Sequence, residues 1–335
     1  MQTIRRFIAT RSTFAAACLA LATLTACGGG SNGTSGSVGP DAPLGVTVGP
    51  IEISNPVFVN NIRWELNATP TTIDDADDDG RGLLTGYITR IQGGLDTNSS
   101  TGRGTSIRTG AELRGAVTAI DAARFAFTVL GVEVVTNAGS TFFENLSTGV
   151  AGIVVGDFIQ VNGYPTHDNK ITATRVLKRA TNTVFKTTGT VSYDACTPSA
   201  TTTCPALGTV IRIGGVNVAV SAAAVGGGLA FPVPEGTLVR IKASDTPTAT
   251  GFTAASVLPY VGDPLPADAI VIMNGVSARY SAGNFVVNGI AVKTTSATKI
   301  VGTLPIDQLA ANGSPLQIEG RYRSGAIEAT SVKRL

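Results

Sequence analysis

"GDFIQVNG", residues 156–163, reads as one short strand with a glycine at each end, and the chain writes it more than once. "GYITRIQG" stands at 86–93, "GSPLQIEG" at 313–320, and a looser copy, "GTLVRIKA", at 236–243. The copies begin at Gly86, Gly156, Gly236 and Gly313, at intervals of 70, 80 and 77 residues. Working outward, each copy is preceded by two alternating strands around a tight turn: "VFVNNIRWEL", "FTVLGVEVV", "VIRIGGVNVAV" and "FVVNGIAVKT". The central pairs are Asn60-Asn61, Leu130-Gly131, Gly214-Gly215 and Asn288-Gly289. Asn-Gly and Gly-Gly tolerate the positive φ of a type I′ turn, whose twist matches its flanking strands. A third element follows the repeated strand: "ITATRV" (171–176), "FTAASV" (252–257) and "IEATSV" (327–332), with "GTSI" (104–107) a worn counterpart. Three elements in the same order mark an internal repeat.

Each unit therefore reads as strand, strand, tight turn, strand, connector, strand, strand. In the last unit the connector is "TLPIDQLAANG", where Pro305 suits a first helical position and Asn312-Gly313 a stop, so a short helix is predicted there. Five strands with a connector at that point is the layout of an OB-like or SH3-like barrel. The expected fold class is all-β: four tandem five-stranded barrels of about 65–75 residues, a size that can just sustain a core. The boundaries are read as 45–112, 113–182, 183–263 and 264–335, strung in series. Abundant glycine (40 residues) and few aromatics (6%) in the 335-residue chain suit short strands and tight turns.

Residues 1–26 read as a signal peptide: a basic start with Arg5, Arg6 and Arg11, then the apolar "STFAAACLALATLTA". It ends in "LTAC", the box of a bacterial lipoprotein signal, which makes Cys27 the expected lipid anchor and residues 27–44 a Gly/Ser-rich tether. Gly28 after that cysteine, with no acidic residue there, points to outer-membrane sorting in the cell envelope. Without the signal the chain has 22 basic and 23 acidic residues, net −1, which gives no footprint for nucleic acid. The local clusters Arg175/Lys178/Arg179 and Arg321/Arg323/Lys333/Arg334 read as solvated strand ends. Cys18 leaves with the signal, and Cys196 and Cys204 in "ACTPSATTTCP" read as a disulfide closing a surface loop. No second stretch approaches membrane-spanning length.

The pattern "GAVTAIDAARFAFTVLGVEVV" (115–135) with "VVGDFIQVNGYPTHDNKITATRVLKR" (154–179) resembles the bacterial domain of unknown function 5666, found in tandem in exported lipoproteins. The second unit resembles it along its whole length and the fourth well. The third carries the cysteine insertion, and the first is stretched by "GGLDTNSSTGRG". The resemblance implies a β-barrel repeat and an envelope location, and brings no catalytic residues.

Chemical candidates are few. Asp75, Asp77, Asp79 and Gly80 in "DDADDDGRG" have the D-x-D-x-D-G spacing of a Ca²⁺ loop. Arg81, Leu83 and Gly86 occupy the later ligand positions, so the alternative is a solvated acidic loop. His167 is the only histidine, and one histidine cannot build a multi-histidine zinc site. It could serve a Ser-His-Asp constellation, but no G-x-S-x-G elbow exists. Glu65, Glu112, Glu133, Glu144 and Asp157 are dispersed near strand ends, and Trp64 alternates with Ile62 as core or barrel rim. The expectation is a noncatalytic binding or scaffolding lipoprotein without a required cofactor, its partner an envelope protein or glycan. The alternatives are a weak Ca²⁺-dependent domain and an unrecognised hydrolase.

Overall fold

The computed structural model describes residues 41–66, 71–73, 82–96, 98–180, 184–194, 206, 208–248, 250–260, 264–311 and 313–335. The first segment contributes β1 (Leu44–Ser54), β2 (Val57–Val59), β3 (Ile62–Glu65), β4 (Thr71–Ile73), β5 (Ile88–Leu95) and β6 (Thr101–Thr109). β1 pairs antiparallel with β2 and β5, β2 with β3, and β5 with β6, while β3 runs parallel to β6. The ring β1-β2-β3-β6-β5 is therefore closed, in the strand order of an OB barrel. The next segment repeats it with β7 (Leu113–Asp121), β8 (Ala126–Val129), β9 (Val132–Val135), β10 (Phe142–Glu144), β11 (Phe158–Pro165) and β12 (Lys170–Arg179).

The third segment holds β13 (Lys186–Thr190), β14 (Val210–Ile213), β15 (Val216–Ala219), β16 (Leu238–Ala243) and β17 (Gly251–Pro259). The same pairs recur, but among the described residues the first-to-second strand seam is reduced to one bridge between Ser192 and Arg212. The last segment closes a ring again with β18 (Ile270–Ser281), β19 (Asn284–Val287), β20 (Ile290–Lys293), β21 (Lys299–Val301), α1 (Ile306–Leu309), β22 (Pro315–Arg323) and β23 (Ala326–Arg334). The predicted helix is there, with Pro305 just before it as N-cap rather than inside it. Short 3₁₀ turns at Gly149–Gly152 and Ala222–Ala224 occupy the same connector in the second and third segments. Unforeseen in the sequence, β4, β10 and β21 each add a short strand parallel to the last strand of the ring.

The repeated strand now has a physical reason for both its glycines. Gly86, Gly156, Gly236 and Gly313 all have φ between 79° and 92°, a region that favours glycine. Each donates its N–H to the first strand: to the carbonyls of Ile51, Val117, Val191 and Ser277, at 2.8–2.9 Å. At the other end Gly93, Gly163 and Gly320 sit at β-bulges, where a Cβ would fall 1.9–2.3 Å from a carbonyl of the neighbouring strand. In the looser copy the bulge carries Ala243 instead.

The rings do not stand as beads on a string. β1 pairs in parallel with β18, through Gly45–Val48 and Ile270–Met273. Lys186 of β13 pairs with Arg114 of β7. One apolar cluster unites Val117, Phe127 and Val161 with Ile213, Val239 and Phe252. A second joins Val46, Val48 and Tyr164 to Phe285, Ile318 and Val332. Units this small bury a limited fraction of their surface alone, and shared cores compensate. Arg175, expected to be a solvated strand end, is a cross-unit clamp with a side chain only 12% exposed. It donates to the carbonyl of Thr85 at 2.9 Å, pairs with Glu144, and lies 5.8 Å from the Tyr87 ring centroid. Among the described residues no helix is long and apolar enough to cross a membrane.

Candidate functional site: a groove between three units

A cavity of about 650 Å³ opens between the β11–β12 hairpin, the loop leading into β16, and the β18–β20 face. Pro165, Leu229, Leu265, Val276 and Ile290 are among its apolar walls, and His167, Glu235 and Arg279 bring charged or titratable groups to it. All three of these polar residues are exposed. Arg279 reaches across from β18 to donate to the Gly236 carbonyl at 3.0 Å. The glycine permits this approach, because a Cβ there would lie 1.7 Å from the Arg279 guanidinium. The volume falls within the range of pockets that take small ligands or peptide side chains.

Behind the groove lies a buried charged node. Glu112, in the link between the first and second rings, is fully buried. Its carboxylate accepts the Gly163 N–H at 3.0 Å and an Arg240 N–H at 3.2 Å. The Arg240 guanidinium sits 4.9 Å from the ring centroid of Tyr260, a residue that lines the groove. Tyr260 also borders a cavity of about 20 Å³ together with Arg90, Arg108 and Arg240. Burial drives the Tyr260 hydroxyl well above the ordinary phenol range; the Glu112 charge adds to this and Arg240 opposes it. Burial raises Tyr164 in the same direction. Both phenols therefore stay neutral at physiological pH, which suits a structural role better than an acid–base one. Gln160 ties the second ring together nearby, accepting from Arg114 Nε at 3.0 Å and Arg179 Nη1 at 2.8 Å.

Two of the tight turns reach a neighbouring ring. Asn60 Nδ2 donates to the Ile272 carbonyl at 2.9 Å and Gly215 N–H to the Gly131 carbonyl at 3.2 Å. OB barrels commonly bind ligands on strands two and three and the adjoining loops. In the first ring that end is turned onto a neighbour, whereas in the last ring Val286, Asn288, Gly289 and Ile290 line the groove at the junction.

Cys27, Asp75, Asp77, Asp79, Cys196 and Cys204 lie outside the described residues. Among the described residues no three His, Cys, Asp or Glu gather as a metal site. His167 lies exposed on the β11–β12 hairpin at the groove. Trp64 is core, 2% exposed, and covers Gly102. The dispersed acids find partners that spacing could not reveal: Glu112 with Arg240, Glu144 with Arg175, and Asp157 with Lys178 at 2.7 Å. Sequence reasoning missed Glu235, Arg279 and Tyr260 as site residues, because the groove exists only once separate rings are packed.

Two segments of the chain, residues 114–176 and 275–333, match the domain of unknown function DUF5666, so the chain carries two copies of that domain. They coincide with the second and last rings. No curated protein matches the chain.

Proposed function

We propose that this protein, built on DUF5666 domains, is a noncatalytic binding or scaffolding module of the cell envelope. In this reading all four segments are copies of one domain, a lipid on Cys27 holds the body at the outer membrane through the 27–44 tether, and Cys196 and Cys204 close a loop as a disulfide. The ligand occupies the inter-ring groove. The observation that carries this is the groove itself: three segments converge on one apolar-walled cavity of about 650 Å³ with exposed charges of both signs beside it. An extended peptide segment of an envelope protein suits such walls, apolar side chains inside and backbone polar groups toward Arg279 and Glu235. The apolar walls and the neutral, buried Tyr260 phenol at the groove suit binding.

The test is capture from a detergent extract of envelope, comparing the wild-type chain with Leu229→Glu and Ile290→Glu. Both positions are only partly buried, so the fold should survive. Loss of the same captured protein in both variants, at unchanged melting temperature, supports the groove. Undiminished capture by both contradicts it. Cys27→Ala tests the anchor separately: the variant should leave the membrane fraction, and retention after a high-salt wash contradicts lipid anchoring.

A further inference from the structure

Three of the rings cover a glycine of their first strand with a side chain from their own tight turn. A Cβ on Gly49 would lie 2.3 Å from Asn60 Oδ1, one on Gly115 2.6 Å from Leu130 Cγ, and one on Gly275 2.4 Å from Asn288 Oδ1. Asn60, Leu130 and Asn288 are the first residues of the turns and have φ between 47° and 56°. In the third ring the corresponding turn residue is Gly214, with φ 58° and no side chain to supply. Yet Gly189, the matching glycine of β13, is covered. A Cβ there would lie 2.5 Å from Asn169 Oδ1, and Asn169 belongs to the β11–β12 hairpin of the second ring. Its Oδ1 also accepts the Thr190 N–H at 2.6 Å. A Cβ on Gly214 would approach Asn169 Cβ at 3.7 Å, so the borrowed side chain fills the neighbourhood of the missing one.

We infer that Asn169 completes the third ring from outside it, and that the ring at 186–259 is deficient without its neighbour. The seam that Asn169 covers is also the sparse one: among the described residues it is held by the Ser192–Arg212 bridge. The contact has a second consequence, which rests on the groove reading above. The hairpin that carries Asn169 also carries Pro165 and His167, so the plug fixes one wall of the groove against the third ring. Asn169 is thus a positioning residue: it joins the completion of one ring to the placement of a groove wall.

Hydrogen exchange and thermal unfolding of the full chain test this. Asn169→Ala should speed exchange at the Thr190 amide about tenfold, the equivalent of one lost hydrogen bond, and lower the unfolding midpoint. Asn169→Asp keeps the acceptor oxygen and should keep Thr190 slow. Adding Gly214→Asn to Asn169→Ala restores a turn side chain of the kind that Asn60 and Asn288 supply. It should recover most of the midpoint once the Gly131 carbonyl, 3.0 Å from the new Cβ, gives slightly. Exchange in the 165–170 hairpin should stay fast in the double variant, because its own attachment is still missing. Unchanged Thr190 exchange in Asn169→Ala would overturn the inference, as would a double variant no more stable than the single one. Failure of the capture assay alone would count against the groove and leave this contact standing.

Discussion

At the scale of single residues, the buried charge of Glu112 is placed with a cationic partner. Glu112 is fully buried yet paired, so removing it leaves Arg240 in a site shaped for a carboxylate. Glu112→Ala should destabilise the protein by about 3–5 kcal/mol, the usual cost of breaking a buried pair from one side, measured by urea unfolding. Asp157 offers a pH test. Burial opposes its charge, but Lys178 and the Val154 N–H outweigh that and hold the carboxyl below the ordinary value of 3.8. Its folded value is lowered, so its stabilisation is complete above the ordinary value and is lost as pH falls through the lower one. Asp157→Asn should therefore cost about 1–2 kcal/mol near neutral pH and almost nothing at pH values below its folded one. A cost that persists unchanged into strong acid would contradict this. None of these pairings was legible in the sequence: Glu112 and Arg240 are 128 positions apart, and only packing brings them together.

At the scale of elements the sequence was far more informative, because local backbone demands write themselves locally. The turn pairs, the glycine-bounded strand and the short helix were all read from residue type and period, and all are present. The bulge at the end of the repeated strand explains why three copies finish in glycine. Gly163→Val should cost about 1–3 kcal/mol through overpacking, since its Cβ would meet the Thr172 carbonyl at 2.3 Å. Ala243→Gly, at the equivalent bulge, should change stability by less than about 1 kcal/mol. Comparable losses at both positions would show that the bulge does not govern the choice of residue. The added strands β4, β10 and β21 were not legible: three residues each, they carry no period and pair with the stretch of the ring's last strand that the short third strand leaves uncovered.

At the scale of the molecule, the reading of rings in series missed how they share cores. Alternation in a strand tells which face is apolar, but not whether that face meets its own ring or a neighbour's. Tyr164 illustrates this: it stands in β11 of the second ring and packs into the cluster of the last. The candidate groove is a product of that packing, so any account of function rests on the rings behaving as one body. Hydrogen exchange of the full chain across a urea series measures this directly, followed at Val161 in the second ring, Ile241 in the third and Ile318 in the last, all buried. The predicted result is one cooperative unit, with the three amides converging on the same unfolding free energy and the same urea dependence. Three separate midpoints, each ring opening while the others stay closed, would contradict the shared cores and with them the groove.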